Sequence, residues 1–537
     1  MPRLLLAFVL LLLVVPAAAQ AAFEVRSFTV TPSGLAAGSH PSVNIAIGFA
    51  PYNSGSPPER VRDLTISLPP GLVGNPNATA RCSLATFQAD DCADSTKVGT
   101  TSVRTTIPAL LGMSTTADGD VYNLRPGARE PARLGVVVRP PLGADKVFIV
   151  SPVALRPSDG GLDSIITGLP SKIGVPLLGQ QDVWIESMSL TLLGRPTGAR
   201  TSFMTLPTSC RPATARIAAR SANGTPASRA APPFTPTACN RLAFRPRLEA
   251  TIGSSDLPAL RTVITGPAGN ANTARAAVTL PPGIGVNLGA VQGACSLAEQ
   301  AAGGCPERSR VGRAMARSPL LPPLTGPVYL ASLPGEPLPG LRVDLTGVVS
   351  LTLTAAASSG PGGTRTEFTG IPDVPLERFE LSFDAGHGIR AVKDPCRGPV
   401  PRITAQLTGH NGAVANLREP FTVTGCVKPA ANVRLRGRRL RLGVAAARGG
   451  PALRLVRLTL PRALKAHPRR GRIRTSAGTA RLTGRGVLTI RTAATRHISA
   501  TLARGAVTRR TRGRLRFRLT TLDDSGRRMR QRLTARR

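Results

Sequence analysis

Leu68 to Gly99 reads LPPGLVGNPNATARCSLATFQADDCADSTKVG, and Leu280 to Gly312 reads LPPGIGVNLGAVQGACSLAEQAAGGCPERSRVG. Both keep Leu-Pro-Pro-Gly, then Cys-Ser-Leu-Ala, then a second cysteine ten positions on, then Val-Gly. Later landmarks recur in the same order: Tyr122 and Tyr329, Gly168 and Gly370, Cys210 and Cys396, Cys239 and Cys426. The offset falls from 213 residues at Cys82 and Cys295 to 186 at Cys210 and Cys396. Insertions therefore lie between landmarks, where loops tolerate them. The chain is an internal duplication, and the repeat unit sets its architecture.

Around these stretches the sequence alternates apolar and polar residues. FEVRSFTVTPS (23–33), PSVNIAIGFAP (41–51) and RVRDLTISLPP (60–70) read as half-buried antiparallel strands. Pro69 and Pro70 end the third, because proline has no N–H for a ladder. DVYNLRP, ARLGVVVRPP, DKVFIVSPVALRP, LDSIITGLP and VWIESMSLTLLGRP (within 120–196) continue the pattern without sustained helical periodicity, and a core strand is the expected place for the single Trp184. SLATF between Cys82 and Cys92 suits one helical turn with Leu84 and Phe87 facing inward. The stretch from Cys210 to Cys239 reads as a long loop or ragged hairpin.

The expected fold class is all-β: two tandem, homologous, disulfide-stapled β-sandwich repeats plus a smaller basic domain of immunoglobulin-like size. The expected boundaries are 1–21 for a signal peptide, 22–239 and 240–426 for the repeats, and 427–537 for the arginine-rich β-domain. Arg3, the apolar run Leu4–Val15, Pro16 and the small residues after it have the order of a secretory leader. That run is shorter than the ~20 residues needed to span a bilayer, and no other stretch is apolar enough to do so. The expected location is therefore secreted, extracellular or associated with the cell envelope.

Export agrees with eight cysteines in matched positions. Local pairing within each copy gives Cys82–Cys92, Cys210–Cys239, Cys295–Cys305 and Cys396–Cys426. Zinc is the rival use, but there is no C-x-x-C and no histidine at ligand spacing.

The formal net charge is +40, with three tyrosines and one tryptophan. Val427–Arg537 holds 32 lysines and arginines against two acids, Asp523 and Asp524. VRLRGRRLRLGV, LRLVRLTLPRAL and GRLRFRLTTLDD alternate leucine or valine with arginine, which is a β pattern with one basic face rather than a disordered tail. Arg434, Arg436, Arg438, Arg439, Arg441, Arg469, Arg470, Arg509, Arg510, Arg512, Arg514 and Arg516 are the candidate polyanion-binding residues. Outside a cell their expected partners are anionic envelope polymers, with no specific nucleic acid, since aromatic stacking residues are scarce. The competing account is a solvated face in a genome whose codons favour arginine.

No catalytic, cofactor-binding or metal motif appears: no Walker loop, dinucleotide fingerprint, nucleophile elbow or H-E-x-x-H. Asp384 and His387 in FDAGHG form the most suggestive local pair, but a turn with Gly386 and Gly388 at positive φ accounts for them. Glu377, Glu380 and Asp384 as paired carboxylates, and Asp90, Asp91 and Asp94 as calcium ligands, are further readings; the second copy keeps only Glu307 near its second cysteine. The function expected is non-catalytic: a structural or adhesive envelope protein. The alternative is a secreted hydrolase or glycan-processing enzyme whose site is assembled from distant residues.

The cassette Leu68–Leu72, Cys82–Ala85, Cys92, Ser95, Val98-Gly99, Val121–Leu124 and Glu130–Val136 resembles a group of uncharacterised secreted proteins from high-GC actinobacteria. The second copy keeps Gly335-Glu336-Pro337 and replaces Ala-Arg-Leu-Gly by Leu338-Pro339-Gly340-Leu341. An arginine-rich C-terminal β-module also resembles that group. The resemblance covers nearly the whole mature chain and implies architecture and export, with no activity and no site residues.

Overall fold

The structure, a computed structural model, describes residues 23–110, 112–141, 143–470, 472–509 and 514–535. The leader expected at 1–21 lies outside the described residues. The described chain is all-β, with only one-turn helical segments, and no described helix is long and apolar enough to cross a membrane.

Eleven strands within residues 25–230 form one sheet. Its spatial order is Val25–Pro32, Val43–Phe49, Trp184–Leu192, Lys97–Ile107, Met113–Leu124, Ala132–Arg139, Val147–Leu155, Leu162–Ile166, Val61–Ser67, Arg216–Ser221 and Pro226–Ala230. The sheet rolls so that its end strands touch. Its halves face each other across one core that runs from Phe28 and Ile45 to Leu64, Val121 and Ile217. Strict in-and-out alternation, as in Val43–Phe49, is what lets one face bury and the other stay wet.

The second copy repeats this order strand for strand: Arg247–Ile252, Leu260–Thr265, Arg378–Phe383, Arg310–Arg317, Leu324–Ala331, Gly340–Thr346, Ser350–Gly360, Gly363–Phe368, Thr273–Leu280, Arg402–Gly409 and Val414–Pro420. A short parallel strand, Thr422–Val423, is added beside Arg247–Ile252. The cysteine loop sits identically in both: Cys82 bridges Leu124, and Cys295 bridges Ala331. The first copy in turn has a hairpin that the second lacks, Lys172–Val175 with Gly179–Asp182, which is a separate two-stranded sheet.

Four disulfides join Cys82–Cys92, Cys210–Cys239, Cys295–Cys305 and Cys396–Cys426. Cys210 and Cys239 bracket a regular hairpin, Arg216–Ser221 with Pro226–Ala230, rather than a loop. Its first strand pairs with Val61–Ser67, so the bridge fastens the last hairpin to the rolled sheet. Closing the ten-residue separation of Cys82–Cys92 stabilises by roughly 3 kcal/mol in the chain-entropy model. Non-reducing peptide mapping is expected to return these four bridges; bridges between copies would contradict the structure.

Two packing expectations need correction. Phe87 is buried at 1% exposure, edge-on to Tyr122 and Phe148, but Leu84 is 38% exposed. The five-residue helix is too short to bury both, and the phenyl ring takes the only slot, directly over Gly135. Trp184 does not lie in the core. It is half-buried on the outer face, its ring 4.9 Å from Tyr52 and 4.9 Å from the Arg60 guanidinium, with Nε1–H donating to Pro58 O at 2.9 Å. The indole N–H needs an acceptor, which the apolar interior lacks.

In the second copy Ser296 and Glu299 form a reciprocal capping box on the cysteine-loop helix. The Ser296 backbone N–H and the Arg308 guanidinium hold the Glu299 carboxyl down at about 2. Its folded value is depressed, so its contribution is present above the ordinary carboxylate range and is lost as pH falls through about 2. An NMR titration is expected to show Glu299 protonating well below the other exposed glutamates; a midpoint near 4.5 would refute the box.

The third core runs from Val433 to Leu519 and lies between two sheets. One is Ala430–Arg436, Arg439–Ala445, His497–Leu502 and Ile473–Thr475; the other is Thr479–Leu482, Val487–Thr495, Leu453–Thr459, Arg516–Asp523 and Arg528–Thr534.

Candidate polyanion-binding site

Each strand of the C-terminal sandwich turns leucine, valine or isoleucine inward, so the alternate residues face solvent. On the four-stranded sheet Arg434 pairs across with Arg441, Arg441 with Thr501, and Thr501 with Arg474, which makes one outward row. Arg436 and Arg439 pair directly in the next row.

The five-stranded sheet carries a denser array. Its central row is Arg481, Thr489, Arg457, Thr520 and Arg530, arginine alternating with threonine across all five strands. At the ~4.8 Å strand spacing, successive arginine Cα atoms stand about 10 Å apart. Arg518 pairs directly with Arg532, and Arg491, Arg516 and Arg528 flank the row on the same face. Among the described residues no ion pair joins any of these arginines to an acid, whereas the two repeats hold the chain's acid–arginine pairs.

Both outer faces of the sandwich are therefore basic, which corrects the expectation of one. The alternation in the sequence is correct, but the split into two sheets puts alternate residues on opposite sides of the domain. Of the predicted residues, Arg434, Arg436, Arg439 and Arg441 share the first face, Arg438 is in the turn between them, and Arg516 is on the second face. Arg469, Arg470, Arg509 and Arg514 are exposed in or beside connections. Arg510 and Arg512 lie outside the described residues. The prediction missed Arg457, Arg474, Arg481, Arg491, Arg518, Arg528, Arg530 and Arg532, each of which lies on a strand with its side chain exposed beside a more buried neighbour. Arg527 faces inward: it is 6% exposed, and burial lowers its pKa against the pull of Asp523 and Asp394.

The suggestive acids elsewhere stay apart or are already paired. Asp384 and His387 are both exposed and make no hydrogen bond to each other. Gly386 has φ +86 as expected, but Gly388 does not have positive φ; it is needed because a Cβ there would lie 2.9 Å from Phe383. Glu380 accepts from Arg261 and Arg378, and those bonds, against desolvation, hold its carboxyl below the ordinary range. Glu377 lies 3.7 Å from Arg317. Asp90 accepts from Lys146 and Arg139 at 2.7 and 2.9 Å. No group of three His, Cys, Asp or Glu stands together among the described residues.

A cleft of about 380 Å³ between the repeats has one lining carboxylate, Glu377. A shallow polar groove on the first sheet carries Asp118 and Asp120, the latter paired with Lys97 and with Arg139.

No family model and no curated protein matches the chain. Among solved structures, a backbone pilin of Streptococcus pyogenes aligns at 8% identity over 88% of this chain and 78% of that one, with a TM-score of 0.17. The C-terminal domain of a Streptococcus agalactiae AgI/II polypeptide aligns at 9% identity over 55% of this chain and all of that one, TM-score 0.15. A structure of manganese lipoxygenase of Gaeumannomyces graminis with part of a zonadhesin of Komagataella pastoris aligns at 11% identity over 74% and 94%, TM-score 0.19. At these TM-scores the alignments carry no argument about function.

Proposed function

We propose that this chain is a non-catalytic envelope protein that presents its two repeats from a C-terminal sandwich held on anionic polymer by arginine. The observation that carries this is the unpaired guanidinium array on both outer faces. Threonine between arginines keeps the central row of the five-stranded sheet hydrophilic, and guanidinium suits phosphate or carboxylate bidentately. Four disulfides fit an oxidising compartment, where envelope glycopolymers are the abundant polyanions.

The test is retention of the full chain on washed cell envelopes across a salt series, beside a chain ending at Cys426. Retention of the full chain is expected to fall steeply with salt, and the shortened chain to wash off at every concentration. Equal retention of both chains would end this reading and leave the arginine as a solvated, codon-driven surface.

A further inference from the structure

The hairpin 172–182 is the only separate two-stranded sheet that one repeat has and the other lacks among the described residues, and a cavity lies beneath it. The cavity is about 60 Å³ and separates the main core of the first repeat from a satellite cluster. Val103, Ala117 and Ile149 line it from the core, and Ile107, Ile173 and Val183 from the satellite side. Its polar lining is limited to Thr105 and Thr115, and no charged side chain among the described residues reaches it. A pocket with such apolar walls favours apolar guests.

Three loop tips meet at its end of the sheet. The hairpin tip touches the 140–145 loop, where a Cβ on Gly143 would lie 3.5 Å from Pro176, and the Asp145 N–H donates to Gly174 O at 2.9 Å. The turn Pro108–Leu110 contacts the hairpin's second strand. These tips expose large apolar side chains: Leu177 fully, at φ +67, Met113 at 55% and Leu178 at 46%. A leucine in the left-handed region and wholly in water opposes both burial and backbone preference. The hairpin shares no ladder with the main sheet, so it can tilt more easily than any strand beneath it.

We infer that the first repeat binds one aliphatic chain, whose end enters the cavity under the 172–182 hairpin while the exposed leucines cover the methylenes outside. Sixty cubic ångströms admits only a chain terminus, so deeper entry requires the hairpin to tilt. The second repeat has no such hairpin, and the stoichiometry is one per chain. This inference is independent of the arginine faces.

The probe is decanoate below its micelle concentration, titrated into the full chain in 0.5 M salt to silence the arginines. The expected result is one site per chain, a negative heat-capacity change, a raised unfolding midpoint and a shifted emission of Trp184, the only tryptophan, which lies between the lining residues Val183 and Ile185. Ala144→Phe, which fills the cavity from the 140–145 loop, is expected to weaken binding at least tenfold. A second variant replaces 172–182 by a short link like that of the second repeat and should abolish binding in a chain that still folds.

Phosphatidylcholine vesicles in the same buffer form a second arm. Retention on vesicles alone, lost in both variants, assigns the chain to a lipid; binding of free decanoate, lost in both, assigns it to a soluble amphiphile. No binding in either arm, or binding that both variants keep, overturns the inference.

Discussion

Changing Arg457, Arg518, Arg530 and Arg532 together to glutamine should lower envelope retention at 200 mM salt by roughly a hundredfold and flatten its salt dependence. Each arginine that neutralises an anionic group releases a counterion, so the log–log slope falls by about 0.9 for each arginine replaced, taking the duplex-DNA coefficient. Four replacements remove roughly 3–4 from the slope. Glutamine is shorter but uncharged, polar and able to hydrogen-bond, so the outward face stays hydrophilic and the sheet should still form. The control is stability: Arg518 and Arg532 stand directly opposite each other, and like charges in that position destabilise. Arg518→Glu should therefore stabilise the sandwich by roughly 0.2–1 kcal/mol while weakening retention. Effects of opposite sign on melting and binding distinguish a polyanion face from a structural one. Retention unchanged in the fourfold variant would refute the proposed function.

Asp373→Ala should cost roughly 3 kcal/mol at the junction of the repeats, since it leaves buried donors unsatisfied at about 1–3 kcal/mol each. Asp373 belongs to the second repeat and is 4% exposed. Its carboxylate accepts the Thr208 N–H at 2.8 Å, the Thr208 hydroxyl at 2.5 Å and the Asn272 amide at 2.8 Å. Thr208 lies in the first repeat beside the Cys210 staple. Alanine would leave three donors without an acceptor in a closed site. Gly71 of the opening Leu-Pro-Pro-Gly has φ +85 and faces the same carboxylate; a Cβ there would lie 2.9 Å from Asp373 Oδ2. Gly71→Ala should therefore loosen the same junction. Faster proteolysis between the repeats and an earlier denaturant transition are the expected readouts. A change under about 0.5 kcal/mol for Asp373→Ala, the size of an ordinary surface substitution, would show that the network does not hold the repeats together.

The duplication reads directly from the sequence because backbone constraints are local. Leu-Pro-Pro-Gly ends a strand whatever surrounds it, and cysteines ten residues apart can close their own loop. The alternation of leucine with arginine likewise marks which side chains are wet. Asp373 carried no such mark: its counterpart in the first copy, three residues after Gly168, is Ser171, and its partner Thr208 is 165 positions away. Nor did the alternation show that outward arginines divide between two faces, since sheet membership depends on which strands pair.

By itself, the sequence determined a duplicated, stapled all-β chain with a basic end, because prolines, cysteine spacing and period-two alternation act within a few residues. The tertiary structure alone decided that Gly71 meets Asp373, that arginine coats both sides of the last sandwich, and that an inserted hairpin roofs an apolar cavity. Those contacts join residues far apart in the chain, and closing the fold is what brings them together.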